Sequence, residues 1–260
     1  MELNFYKYQG TGNDFVMIDN RDGLFRADEQ RVASLCARRT GIGADGLILL
    51  QEHPLLDFAM RYFNADGRES TMCGNGGRCA IAFAHALGMC GEHTRFMAVD
   101  GEHTGEIRKG TVLLKMNDVS DIRPVEKGYF LDTGSPHYVE FRDDVEQMDV
   151  FAEGKELRYS DLFRPEGTNV NFVQVIDPAT LFNRTYERGV EDETLSCGTG
   201  SIAAALTHAH TRQNVSSPVT VLTRGGRLRV FFEKGKEKLF EGIFLEGPAE
   251  YVFRGTITLP

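Results

Sequence analysis

Two cysteines in the chain are each followed at once by glycine: Cys73 in MCGNGGRC (72–79) and Cys197 in SCGTGS (196–201), 124 positions apart. A cysteine immediately before a helix sits where unpaired backbone N–H groups and the positive end of the helix dipole favour negative charge. That setting lowers a thiol pKa and makes the thiolate available. The neighbouring glycines, Gly74, Gly76 and Gly77 in one segment and Gly198 and Gly200 in the other, leave the backbone bare, so a carboxylate can dock on the same N–H groups beside the sulfur. Each segment therefore offers one acid/base group and one anion cradle, the equipment for moving a proton on and off a carbon next to a carboxylate. Inverting such a carbon requires a base on one face and an acid on the other. Two equivalent thiols meet that need, and either can take either role. The intermediate carbanion must be stabilised by fixed N–H donors, each commonly worth about 3 to 4 kcal/mol, in a site that closes to exclude water. Neither a metal nor an organic cofactor is expected.

The elements that must position these thiols repeat. At the same 124-residue offset Gly43 falls on Gly167, Glu69 on Glu193, Gly74 on Gly198, Gly76 on Gly200, Ala80 on Ala204 and Gly101 on Gly225. A looser match, shifted by two residues, lays TGNDFV from Thr11 over TGSPHYV from Thr133. LDFAMRYF and TLFNRTYE read as strands. Gly74 to Leu87, capped by Gly88, and Gly198 to about Thr211 read as helices. CAIAFAHAL and SIAAALTHA are apolar or small almost all round, so both helices should be enclosed. The expected fold is α+β: two pseudo-symmetric domains from an internal duplication, each a curved, barrel-like, mostly antiparallel sheet around a central helix. The expected boundaries are 1–118 for the domain carrying Cys73 and 119–248 for the domain carrying Cys197. The last strand, about 249–260, is a candidate to pack back onto the first domain.

Composition narrows the function classes. With 41% hydrophobic and 26% charged residues the chain is an ordinary globular protein rather than a disordered one. A net charge of −9, with no compensating run of Lys and Arg, argues against nucleic acid as a partner. No apolar stretch approaches the roughly 20 residues that span a bilayer, and the start MELNFYKYQG has no signal-peptide pattern. A cytoplasmic protein with no membrane contact is the expectation. Five cysteines, odd in number and sparse, do not make a disulfide framework. Cys36, Cys79 and Cys90 read as small buried hydrophobes.

The ordered set GTGNDF (10–15), FNADG (63–67), MCGNGGRC (72–79), TNVNF (168–172), YERG (186–189) and SCGTGS (196–201) resembles the motifs of the diaminopimelate epimerases over nearly the whole chain. The resemblance implies a homodimeric enzyme that interconverts LL- and meso-diaminopimelate without pyridoxal phosphate, on the route to lysine and peptidoglycan. It implies that Cys73 and Cys197 are the acid and base, and that Gly74, Asn75, Gly198 and Thr199 carry the N–H groups around the reacting carboxylate. It further implies that Asn13, Asn64, Asn169 and Arg188 hold the far end of the substrate, with Glu187 receiving the reacting ammonium. A distal carboxylate suits Arg188 and a distal ammonium suits amide oxygens. Asn64 also fits a plain turn residue in NADG, and Arg188 with Glu187 also fits a surface ion pair.

Two departures from the family pattern bear on specificity. Ser135-Pro136-His137 stands where Asn-Pro-His is often found, so Ser135 offers a hydroxyl in place of an amide. Gly46 stands where some members carry Gln. His137 aligns with a histidine near the family's site and fits equally a histidine packed beside Pro136. Related folds include proline racemase, whose substrate lacks the second charged end that YERG implies, and a phenazine-pathway isomerase that lacks the second thiol. A thiol redox protein would call for a C-x-x-C pair, which is absent. A zinc domain built on Cys79, Cys90, His93 and His103 fits no usual spacing.

Overall fold

The computed structural model describes residues 2–258. The chain divides into two compact units, Met1–Leu114 with Gly247–Pro260, and Lys115–Glu246. The first runs β1 (Glu2–Gly10), β2 (Asn13–Asp19), α1 (Glu29–Cys36), β3 (Gly46–Gln51), β4 (Phe58–Asn64), β5 (Glu69–Ser70), α2 (Gly74–Ala86), β6 (His93–Ala98), β7 (Gly101–Arg108) and β8 (Thr111–Lys115). The second runs β9 (Arg123–Val125), β10 (Gly128–Asp132), β11 (Pro136–Phe141), α3 (Val150–Arg158), β12 (Asn169–Asp177), β13 (Thr180–Glu187), β14 (Asp192–Thr194), α4 (Gly198–Thr211), β15 (Val219–Thr223), β16 (Gly226–Lys234) and β17 (Phe240–Gly247). The final strand, β18 (Glu250–Thr258), pairs antiparallel with β1.

Strand pairing repeats the sequence duplication step for step. In the first unit β1–β2 is antiparallel, β2–β3 parallel, β3–β4 and β4–β5 antiparallel, β4–β6 parallel, and β6–β7 and β7–β8 antiparallel. In the second, β10–β11 is antiparallel, β11–β12 parallel, β12–β13 and β13–β14 antiparallel, β13–β15 parallel, and β15–β16 and β16–β17 antiparallel. β9 lies along β10 as β18 lies along β1, so the outer strand of each unit comes from opposite chain directions. The duplicated, mostly antiparallel fold expected from the sequence is the one observed.

β3 (GLILLQ) is buried on both faces, which is why it is apolar without a break. In the first unit Val16, Ile18, Leu47 and Leu49 join Val32 and Leu35 of α1 in one cluster. Phe15 and Ile48, one residue out of phase, point to α2. In the second unit Val170, Phe172 and Tyr186 pack with Val150 and Leu157 of α3. The short outer helices α1 and α3 were not expected from the sequence. Buried residues run all round α2 and α4, as their composition requires. Phe83 on α2 is 1% exposed, and truncating such a side chain to alanine costs about 3 to 5 kcal/mol. Among the described residues no helix is long and apolar enough to cross a membrane.

Candidate active site

The four helices differ in how they start. The outer ones use carboxylate caps: Asp28 accepts from Arg31 N at 2.8 Å and Asp149 from Ala152 N at 3.0 Å. The central ones use cysteine. Cys73 is the N-cap of α2 and its sulfur accepts the Gly76 N–H at 3.2 Å; Cys197 is the N-cap of α4 and makes no such bond. A thiol is a weak acceptor. Replacing a Ser or Asp cap by a poorer group forgoes about 1 kcal/mol of helix stability, so its use at both central helices marks a demand other than stability.

Around Cys73 the first unit gathers Thr11, Asn13, Asn75 and Arg78. Thr11 Oγ1 donates to Asn75 Oδ1 at 3.3 Å, Asn75 Nδ2 to Asn13 Oδ1 at 3.5 Å, and Asn13 Nδ2 to Asp45 Oδ2 at 2.7 Å. Asp14, next in β2, is ion-paired with Lys7 at 2.6 Å and Arg38 at 2.8 Å. Asn13 is thus held by a charged brace behind it.

The second unit repeats the plan with different side chains. Thr133 Oγ1 donates to Thr199 O at 3.1 Å, the counterpart of Thr11 reaching Asn75. Ser135 lies 3.3 Å from Thr199 Oγ1, as Asn13 lies beside Asn75. His137 follows where Phe15 stands in the first unit. Its Nε2 is 3.0 Å from Ser135 Oγ and 3.0 Å from Thr199 Oγ1, and Thr199 Oγ1 is 3.4 Å from Cys197 Sγ. His137 is fully buried, and burial first, then the Arg188 charge, pushes its pKa down to about 3. The ring is neutral at physiological pH.

The remaining residues singled out from sequence fall as follows. Asn64 ends β4 in a turn closed by Asn64 N to Arg68 O at 3.0 Å, and its side-chain amide makes no hydrogen bond among the described residues. Asn169 Nδ2 donates to Pro136 O at 2.9 Å and its Oδ1 accepts Arg188 N at 2.8 Å, so it braces the YERG turn from below. Glu187 Oε2 accepts from Thr194 Oγ1 at 3.0 Å. Arg188 is half-buried; its guanidinium reaches only Glu166 O, at 3.3 Å, and forms no ion pair among the described residues. At Gly46 a Cβ would meet Phe63 O and the Tyr62 ring, each at 2.6 Å, so no longer residue fits there.

Three contributors escaped the sequence reading: Thr11, Arg78 and Asn171. Asn171 sits two residues after Asn169, which on a strand puts both on one face. Its Nδ2 lies 3.0 Å from His137 Nδ1, and its Oδ1 accepts from Thr185 Oγ1 at 2.9 Å. The glycines also have a packing role. A Cβ at Gly200 would meet Asn171 Oδ1 at 2.4 Å, one at Gly76 would meet Cys73 Sγ at 3.0 Å, and one at Gly77 would meet Met72 Sδ at 2.7 Å. Close approach of the helix to its surroundings demands glycine at these positions.

The diaminopimelate epimerase family model matches residues 5–121 and 129–252. The chain is 49% identical over 257 residues to the diaminopimelate epimerase of Flavobacterium psychrophilum, covering 98% of this chain and 100% of that protein. It is 47% identical over 258 residues to the diaminopimelate epimerase of Chlorobaculum tepidum, covering 96% and 99%. Its fold is shared with a Bacillus anthracis phenazine biosynthesis protein of the PhzF family, at TM-score 0.80 and 15% identity over the whole of both chains. A probable proline racemase from Agrobacterium radiobacter aligns at TM-score 0.67 and 14% identity, over 99% of this chain and 93% of that one. With the family model and relatives of this similarity running over nearly its whole length, the chain belongs to the diaminopimelate epimerase family.

Proposed function

We propose that this protein interconverts LL- and meso-2,6-diaminopimelate by proton transfer at one α-carbon, with Cys73 and Cys197 as the acid/base pair. The observation that carries the reading is the duplicated helix start: in each unit a cysteine takes the N-cap of the central helix. One thiolate takes the α-hydrogen, the C–H electrons move into the adjoining carboxylate, and the other thiol returns a proton to the opposite face. The N–H groups at Gly74, Asn75, Gly198 and Thr199 hold the enolate-like oxygens. Glu187 receives the reacting ammonium, and Asn13, Asn64, Asn169 and Arg188 hold the distal amino acid end. Ser135 and His137 act from behind Thr199 rather than on the substrate.

LL-diaminopimelate incubated with the protein in deuterated water is expected to gain deuterium at one α-carbon as the meso form appears. Glutamate and proline, run alongside, are expected to stay unlabelled. Full epimerisation by a Cys73→Ala or a Cys197→Ala variant would sink the proposal.

A further inference from the structure

Arg78, one turn into α2, is fully buried, and its partners are all neutral: Gly74 O at 3.0 Å, Asn75 Oδ1 at 2.9 Å, Pro248 O at 3.3 Å and Thr11 Oγ1 at 3.5 Å. No carboxylate pairs with it among the described residues. A desolvated cation without a counter-charge is strongly unfavourable and is rarely kept without a use. The ionisable groups in its field are Cys73 and Cys79. Cys79 is buried and its thiol is pushed up to about 12, so it stays neutral. From β1, Tyr8 is also pushed up to about 12 by burial. From β18, Glu250 is engaged by Gln9 Nε2 and makes no ion pair with Arg78 among the described residues. Of the two thiols acting on Arg78, Cys73 is the one that burial does not hold neutral in this way.

The bond to Gly74 O adds direction. That carbonyl belongs to the peptide whose other end is the Asn75 N–H, and a cation drawing on the carbonyl sharpens the N–H as a donor at the helix mouth. At the same offset the second unit has Ile202, fully buried and apolar, so no cation backs Cys197 in this way.

We propose that Arg78 is a positioning residue for Cys73, its buried charge matched by the Cys73 thiolate, so that Cys73 is the thiol ionised at rest. The inference rests on the acid/base reading of Cys73. When that thiolate takes a proton, the negative charge passes to substrate oxygens on the Asn75 N–H and remains near Arg78.

The test is the pH dependence of Cys73 alkylation by iodoacetamide, followed by peptide mapping so that each cysteine is read separately, in the wild type and in Arg78→Lys and Arg78→Met variants. In the wild type the Cys73 midpoint is expected below the ordinary thiol value of about 8.5. Arg78→Lys should stay close to the wild type. Arg78→Met should raise the midpoint by about one pH unit or more, a tenfold loss of thiolate at neutral pH, while the Cys197 midpoint does not move. A wild-type midpoint at or above about 8.5 overturns the proposal even where Arg78→Met fails to fold. Coincident wild-type and Arg78→Met profiles overturn it as well. Because alkylation needs no turnover, its outcome is independent of whether Cys73→Ala abolishes epimerisation.

Discussion

Asn171 fixes which nitrogen of His137 carries the proton. Its Nδ2 lies 3.0 Å from Tyr138 O and 3.0 Å from His137 Nδ1. A carbonyl can only accept, so the amide nitrogen must face Tyr138, and the second amide hydrogen falls to His137 Nδ1. The neutral ring then holds its proton on Nε2, directed at Ser135 and Thr199. With Ser135 also donating toward Thr199 Oγ1, both lone pairs of that hydroxyl are engaged. Its own hydrogen is left for Cys197 Sγ at 3.4 Å. Cys197 is thus served by a chain of neutral donors, Asn171 to His137 to Thr199, whereas Cys73 accepts a backbone N–H and lies in the field of a buried arginine.

Thr199→Val tests that chain without disturbing the histidine, since Ser135 Oγ still accepts from Nε2 at 3.0 Å. A hydrogen bond to a charged group contributes about 1.5 to 3 kcal/mol. The Cys197 alkylation midpoint should therefore rise by about one to two pH units, with Cys73 unmoved. kcat/KM should fall roughly 10- to 100-fold, and equally in both directions, because the equilibrium constant belongs to substrate and product alone. An unmoved Cys197 midpoint would mean that the thiol is the donor in this pair.

His137 also makes stability depend on pH. The ring in the unfolded chain takes up a proton near pH 6.5, and in the folded chain only near pH 3. Between those values the unfolded state holds more protons, so stability falls as pH falls. Between pH 7 and pH 4.5 the loss from this residue should be about 2.5 kcal/mol. Urea unfolding at the two pH values, compared with His137→Gln, isolates it: the variant should show a flatter pH dependence. Equal slopes would place the neutral ring elsewhere than in this buried pocket.

The parts of the fold legible in the sequence were those with a strong period or firm punctuation. LDFAMRYF alternates, and α2 ends at Ala86 with Gly88 in the left-handed region at φ 71°, as its glycine foretold. α1 was missed because its eight residues, EQRVASLC, carry only three buried side chains, too few to set a helical period against noise. The place of both cysteines at the starts of α2 and α4 was legible because duplication marked it twice. Asn171 and Arg78 were not, since a lone Asn on a strand and a lone Arg on a helix have no pattern of their own. What sets them apart is what burial denies them: Arg78 has no acid partner among the described residues, and Asn171 packs closely against Gly200.

Arg184 and Arg188 stand four residues apart and show how the distal site can be tested. Arg184 is committed to the fold, with both arms on Glu193 at 2.7 Å and Nη1 on the carbonyls of Val145, Glu146 and Met148. Arg188 touches one carbonyl and no acid among the described residues, so the surface ion pair that would explain it away is not there. Its charge is nonetheless close enough to depress His137. Arg188→Ala should leave unfolding by urea unchanged and raise KM for diaminopimelate about 10- to 100-fold, the equivalent of a charged hydrogen bond of about 1.5 to 3 kcal/mol. Arg188→Lys should recover only part of the loss, because an ammonium cannot grip a carboxylate with two parallel N–H groups. An unchanged KM in Arg188→Ala would return Arg188 to the surface, and the distal carboxylate would need another partner.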